Sequence, residues 1–568
     1  MTRGSPGLAQ VLDAALDAAA GAGGPFSPAR SARLDALEEF PAEECALLDA
    51  CGIARAYVPA ELGGAPGGLP ELVASLRTVA RRDLTVAVAH GKTFLGAVCT
   101  WIAGDQEQRA TLARQVRDEG TVVSWGLTEP GRGSDLLAGQ LAARPMPGGG
   151  WRLSGVKWPV NNATRGRLIC VLARTSPEGG PRGFSLFLVD KDRLPAGSWQ
   201  PLPKEPTHGI RGADISGIRF EGAPVPNAAL IGRVGDGVET VLRALQLTRT
   251  VCASLSLGAG DHALRLAYAF ARQRRLYGAT LITLPLARRV LGRAAASLEL
   301  ARAASLVGAR AAHCLPGEMS VVSALVKAGV PHVVQQTIDE LAELMGARGF
   351  LVNGHADGMF QKLERDHRVV AVFDGSTAVN RAALAAQFPT LARLQRTGAH
   401  DVPALAALRG TRGAGRLPAL DPAALRLTSR RGCSVVQGLP AAVDRLARLA
   451  RDGLVPSRAH LLARAVHEEA TAVAEAMAAL PPASRATPAA AFDVARRYEL
   501  CFAAASAVQL LIPPARDAAR AVWLMAALER ALELLRPGHE APDDAYEPLL
   551  VPAAAPPPAR RDEEVPVR

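Results

Sequence analysis

The chain has 568 residues, 49% of them hydrophobic and 4% aromatic, with a formal net charge of +11. This length and apolar share exclude a disordered chain and allow several packed layers, and apolar residues that are mostly Ala, Leu and Val favour helices. The charge comes from Arg spread along the chain without a Lys/Arg-rich run, so it reads as a solvated surface and not as a nucleic-acid footprint.

No uncharged apolar run reaches about 18 residues, so a membrane span is not expected. The first residues lack a basic segment followed by an apolar core, so no signal peptide is expected. The eight cysteines include no C-x-x-C pair and no metal-ligand spacing. They read as reduced core residues of a cytoplasmic protein with no metal site.

In chain order, residues 8–20, 30–51 and 70–118 carry helical periodicity, so residues 1–120 form an N-terminal helical domain. The texture changes at Thr121. Short apolar runs at 151–158, 168–173, 184–189 and 215–220 alternate with Gly/Pro turns. This predicts an antiparallel β-barrel or sandwich over 121–232. Helical spacing returns at Gly237 and continues through 283–313, 318–347, 355–372 and 375–396, giving a helical unit over 233–396. Residues 397–416 are rich in Gly, Arg and Thr and read as a linker. A further helical extension follows over 417–537, punctuated by Pro481-Pro482 and Pro513-Pro514. Residues 538–568 read as a tail without fixed structure. The fold class is α+β, mostly α, with helices and strands in separate layers.

Two stretches carry chemistry. Trp125-Gly126-Leu127-Thr128-Glu129-Pro130-Gly131-Arg132-Gly133-Ser134-Asp135 is a strand running into a glycine-rich turn, whose amides and hydroxyls can wrap a planar polar ring or a phosphate. Val369 to Asn380 is an apolar run that delivers one carboxylate, Asp374, followed by Gly375, Ser376 and Thr377. Apolar neighbours disfavour an ionised carboxylate, so its pKa is expected to rise, which suits a general base.

These stretches and seven more in order resemble the acyl-CoA dehydrogenase family of flavoproteins. The family's T-E-P-G-x-G-S-D motif is complete from Thr128 to Asp135. Gly155, Lys157 and Pro159-Val160-Asn161-Asn162 match the next elements, followed by Gly209 to Asp214, Val225-Pro226 and Gly232 to Gly237. Arg274 to Gly278, Gly346 to Phe350, Arg365-Asp366 and Phe373 to Ser376 complete the series. The resemblance implies a C-terminal four-helix bundle behind the helical and β domains, and FAD as cofactor. It implies that Trp125, Leu127, Thr128, Ser134, Asn161, Arg274, Tyr277, Gly346, Gly349 and Ser376 bind that FAD. Ser134, Gln246 and Arg249 would meet the substrate.

The implied reaction is α,β-dehydrogenation of an acyl thioester on CoA or acyl carrier protein. Asp374 would remove the α-proton while a hydride leaves the β-carbon for flavin N5. An electron-transfer flavoprotein is the implied acceptor, and a homodimer or homotetramer the implied assembly. Several positions depart from the family. Asp374 replaces the usual Glu and is shorter by one methylene. Relatives that carry the base on the long helix place it near Thr248, where Gln246-Leu247-Thr248-Arg249 offers no carboxylate. Leu284-Pro285 replaces the H-Q pair that helps hold FAD, and Pro159 and Asn161 replace a Trp and a Thr beside the flavin. An Asp base also fits a nitroalkane-oxidase-like flavin oxidase, and a catalytically degenerate homologue is the third reading. The extension resembles in position that of very-long-chain members, which use it for dimer contacts and membrane association. It lacks a strongly amphipathic basic helix with large aromatics, so membrane association is not expected.

Overall fold

The computed structural model describes residues 7–410, 417–481, 487–512 and 517–550. The chain divides into two compact units, one formed by residues up to 258 with 365–369, the other by 259–364 with 370 onwards.

The first unit begins with α1 (Leu8–Ala18), α2 (Pro28–Leu37), α3 (Ala42–Ala50), α4 (Gly68–Ala80), α5 (Leu84–Ala103) and α6 (Gln106–Glu119). The expected 70–118 helix is thus three helices, broken where Asp83 and Asp105 accept backbone N–H bonds as N-caps of α5 and α6. α5 is long and apolar enough to cross a membrane, but 78% of its apolar window is buried inside the fold. It packs on β1 so closely that a Cβ at Gly96 would lie 2.4 Å from the Val123 carbonyl oxygen.

β1 (Val123–Gly126), β2 (Ala142–Pro145), β3 (Trp151–Asn161), β4 (Leu168–Arg174), β5 (Phe184–Asp190), β6 (Trp199–Leu202), β7 (Ile215–Val225) and β8 (Leu230–Ile231) form one eight-stranded sheet. The path is β6-β7-β3-β2-β4-β5-β8, with β1 beside β4. Most pairs are antiparallel, as expected. β1 runs parallel to β4, however, and β2 meets β4 in parallel at Ala142 and Arg174, so the sheet is mixed. β4 is apolar on both faces because it lies inside the sheet, covered on each side. The glycines Gly148, Gly149 and Gly150 supply the positive φ of the β2–β3 turn.

α7 (Gly237–Gln273) follows the sheet. Its second half opens the second unit, where a Cβ at Gly260 would meet Leu298 and Val334. The hairpin β9 (Arg275–Leu276) and β10 (Ala279–Thr280) leads to α8 (Pro285–Cys314), which pairs with α9 (Met319–Met345) through a short turn. Then come α10 (Ala347–Phe350), α11 (Met359–His367), α12 (Thr377–Ala385) and α13 (Phe388–Thr397), with α12 packed on α9.

The linker expected over 397–416 is corrected. Residues 402–409 form α14 (Val402–Arg409), capped by Asp401, with Leu405 and Leu408 buried. The run Ala-Leu-Ala-Ala-Leu is a strong helix former, and its apolar face needs a partner. Residues 411–416 lie outside the described residues.

In the extension, α15 (Ser434–Gln437), α16 (Leu439–Arg451), α17 (Ser457–Ala479), α18 (Ala489–Leu511) and α19 (Ala518–Leu535) pack back on the unit. α18 lies on α8, α9 and α12, α19 on α8, and α17 on α13. Arg381 of α12 donates twice, at 2.8 Å each, to the buried Glu499 carboxylate of α18. Of the expected proline breaks, Pro482, Pro513 and Pro514 lie outside the described residues. The expected unstructured tail is corrected over 538–550. Tyr546 is buried there, and Glu547 and Asp543 pair with Arg288 and Arg289 of α8. The acidic residues of this stretch serve pairing with α8; residues 551–568 lie outside the described residues. None of the eight cysteines forms a disulfide.

Candidate active site

In the first unit, β1 ends at Gly126 and its continuation runs beside β3, where the Trp158 N–H donates to the Thr128 carbonyl at 2.9 Å. The turn is set by a buried ion pair. Lys157 Nζ donates to the Leu127 carbonyl at 3.0 Å and to Glu129 Oε1 at 2.8 Å. Glu129 also accepts the N–H groups of Gln140 and Leu141 at 2.7 and 3.0 Å. Burial would raise the Glu129 pKa, but Lys157 and the two amides outweigh it and hold the carboxyl below its ordinary value. Burial lowers the Lys157 pKa, against the pull of Glu129. We take the pair as ionised, because the carboxylate has three donors. Its role was not legible in the motif, which shows the two residues only as separate letters.

Beyond that anchor the turn is open. Gly131 and Gly133 have no atom within 4 Å of an added Cβ, and Ser134 is exposed. Trp125, Leu127, Thr128 and Asn161 are half-buried. Asn161 Nδ2 donates to the Val88 carbonyl of α5, and Asn162 Nδ2 to that of Ala89. The indole N–H of Trp125 and the Oδ1 of Asn161 are buried without a hydrogen-bond partner. A buried orphan donor on β1 and a buried orphan acceptor on β3 are costly unless a ligand supplies partners. A planar ring with polar atoms on its edge fits that need. On α7, Gln246 and Thr248 are buried and Arg249 is half-buried.

In the second unit, Asp374 follows a short turn at Arg368–Ala371 instead of a continuous helix. Its φ is 55°, and Gly375 follows at 93°. Asp enters this left-handed region more readily than most non-glycine residues, because its short side chain can bond locally. Ser376 then caps α12, its Oγ accepting the Val379 N–H at 3.3 Å. Two buried side chains hold the segment from behind. Lys327 of α9 donates to the carbonyls of Val370 at 2.7 Å and Gly375 at 3.3 Å. Asn380 donates to those of Gly375 and Ser376 at 2.9 Å each. Neither residue stands out in the sequence, where a lone Lys between Val326 and Ala328 in an apolar helix was the available signal.

The other expected cofactor residues of this unit lie at its surface or in its packing. Arg274 is exposed, and Tyr277 is 97% exposed at the tip of the β9–β10 hairpin. Gly346 ends α9 at φ 56°. Gly349 is buried, with Met345 and Phe360 too close to admit a larger residue freely. Among the described residues no group of His, Cys, Asp and Glu could hold a metal ion.

Residues 124–223 match the acyl-CoA dehydrogenase middle domain, and residues 235–388 the acyl-CoA dehydrogenase C-terminal domain. The Mycobacterium tuberculosis protein named "Probable acyl-CoA dehydrogenase FadE25" is 26% identical over 356 residues, 62% of this chain and 89% of that one. The mitochondrial short-chain specific acyl-CoA dehydrogenase of Homo sapiens is 26% identical over 360 residues, 62% of this chain and 84% of its own. A Bacillus anthracis acyl-CoA dehydrogenase, solved in complex with FAD, shares the fold over 95% of this chain and 89% of its own, with a TM-score of 0.67 at 18% identity. The matched domains follow one another in the order the motifs give, and residues 124–223 and 235–388 carry the middle and C-terminal domains of the acyl-CoA dehydrogenase family.

Proposed function

We propose that the protein is a dehydrogenase of acyl thioesters in which Asp374 is the base that removes the α-proton. The two domain matches support an FAD-dependent oxidoreductase acting on acyl thioesters. The observation that carries the finer reading is a half-buried carboxylate in a left-handed turn, with the next carbonyl fixed by two buried donors. A general base must be aimed before its basicity matters. Loss of the α-proton builds negative charge on the thioester oxygen, and we assign the Asp374 main-chain N–H as a donor to it. Bound FAD supplies the acceptor for the hydride that leaves the β-carbon. Trp125, Leu127, Thr128 and Asn161 would line its ring. Ser134, Gln246 and Arg249 would hold the thioester.

Arg274, Tyr277 and Gly346 would serve the cofactor of a neighbouring copy in a homodimer or homotetramer. The 97% exposure of Tyr277 and 81% of Phe350 support such a partner, because large apolar side chains are rarely left so open without one. An electron-transfer flavoprotein would take the electrons, and the cytoplasm would be the compartment. Asp in place of Glu favours a second reading, oxidation of a nitroalkane or similar carbon acid.

Anaerobic flavin reduction tests both readings. Native protein and Asp374→Ala are mixed with acyl-CoA, acyl carrier protein thioester and nitroalkane. Reduction by the thioesters should fall about 100- to 10,000-fold in the variant, with FAD retained. An undiminished rate removes Asp374 as the base, and reduction of the native protein by nitroalkane alone establishes the second reading.

A further inference from the structure

One side chain reaches both ends of the segment that carries Asp374. Lys327 is fully buried on α9, and its ammonium donates to the carbonyls of Val370 and Gly375. The first closes the turn before Asp374; the second belongs to the residue after it. The Phe373 ring lies between them in sequence, its centroid 5.5 Å from Nζ. Asn380, also fully buried, donates to the same Gly375 carbonyl at 2.9 Å, so both lone pairs of that oxygen are engaged.

A buried ammonium is costly, and an apolar side chain of similar length would hold α9 against a turn as well. What an apolar side chain cannot do is satisfy two carbonyls that point inward. The Gly375 carbonyl belongs to the reversal itself, where the chain passes through Asp374 at φ 55° and Gly375 at φ 93°. Glycine alone would leave this reversal free to move. The charge therefore has a local task, to fix the conformation in which the Asp374 side chain is presented.

We propose that Lys327 is a positioning residue for the α-proton base, a clamp that sets the reach and direction of Asp374 without touching substrate. It rests on the reading of Asp374 given above. A short carboxylate tolerates little misplacement, since about 1 Å can change a rate on the order of 100-fold.

The test uses the FAD-loaded protein as native, Lys327→Met, Lys327→Arg and Asp374→Ala. Flavin content, anaerobic reduction rate per bound flavin, half-saturation by acyl-CoA, and the isotope effect with α-deuterated substrate are measured. Lys327→Met should reduce its flavin about 10- to 100-fold more slowly, with half-saturation nearly unchanged and a larger α-deuterium effect. Lys327→Arg, which keeps the donors, should recover part of the rate. A native rate per flavin and a native isotope effect in Lys327→Met overturn the clamp. Should Lys327→Met fail to fold, Asn380→Ala removes the other donor from the same carbonyl, and the same readings decide. An inactive Asp374→Ala beside an unaffected Lys327→Met overturns the clamp alone; a fully active Asp374→Ala overturns the base assignment itself.

Discussion

Lys157→Met keeps the length of the side chain and removes its charge. The native ammonium lies 2.8 Å from Glu129 Oε1 and 3.0 Å from the Leu127 carbonyl, with the two side chains of the pair 1% and 6% exposed. The variant leaves Glu129 two backbone donors and no lysine. Breaking one side of a buried pair costs about 3–5 kcal/mol, and the remaining donors place this case near about 3 kcal/mol at neutral pH. The pH dependence follows from the sign of each shift. In the native protein the Glu129 pKa is lowered, so its stabilisation is present above the ordinary value of 4.5 and lost as pH falls through the lower folded value. In the variant burial is no longer outweighed and the pKa rises. The variant's stability is then best below 4.5 and declines as pH rises. The deficit should therefore grow from pH 5 to pH 8. Urea unfolding of both proteins at the two pH values, with flavin content recorded, checks it. A deficit under about 1 kcal/mol, or one of equal size at both pH values, would refute the buried-pair reasoning. Lysine loss should also lower flavin content, because the Leu127–Thr128 turn loses its anchor.

Two further outcomes are expected. Burial raises the Glu318 pKa to about 7 although Ser434 donates to it twice, so its contribution to stability is full below 4.5 and lost as pH rises to about 7. Glu318→Gln should remove that slope, worth about 3 kcal/mol, seen as a flatter melting temperature between pH 5 and pH 8. Gly96→Ala would push a methyl to 2.4 Å from the Val123 carbonyl oxygen, so α5 and β1 must part. A loss of about 1–3 kcal/mol in urea unfolding is expected, with reduced FAD retention.

The order of layers was legible because period and composition change sharply at Thr121 and again at Gly237. Breaks inside helices were less legible: Asp83 and Asp105 are plain caps, yet the apolar periodicity runs on past both. The linker reading failed because Gly410 and its neighbours outweighed the helical run Val402 to Arg409. Asp374 and the Thr128–Asp135 turn could be read from residue order, since each is one continuous stretch. Lys327, Asn380 and the Glu129–Lys157 pair could not. Their meaning lies in what they touch across the fold, and a carbonyl that turns inward leaves no mark in the sequence.

The same turn has a consequence for how long the protein keeps its chemistry. Asp374 is followed by glycine, whose bare amide nitrogen is the least hindered nucleophile toward a neighbouring side-chain carboxyl. Their condensation gives a succinimide, and its hydrolysis yields isoaspartate, which lengthens the main chain by one carbon and shortens the side chain. The segment that would serve as the base is thus also a site of chemical ageing. Lys327 donates to the carbonyls of Val370 and Gly375, and Asn380 to that of Gly375, so the chain is restrained on both sides of the Asp374–Gly375 peptide, which should slow the approach of its nitrogen to the carboxyl. Stored protein should lose thioester-driven flavin reduction through a change that leaves its mass unaltered, and faster in Lys327→Met than in the native chain.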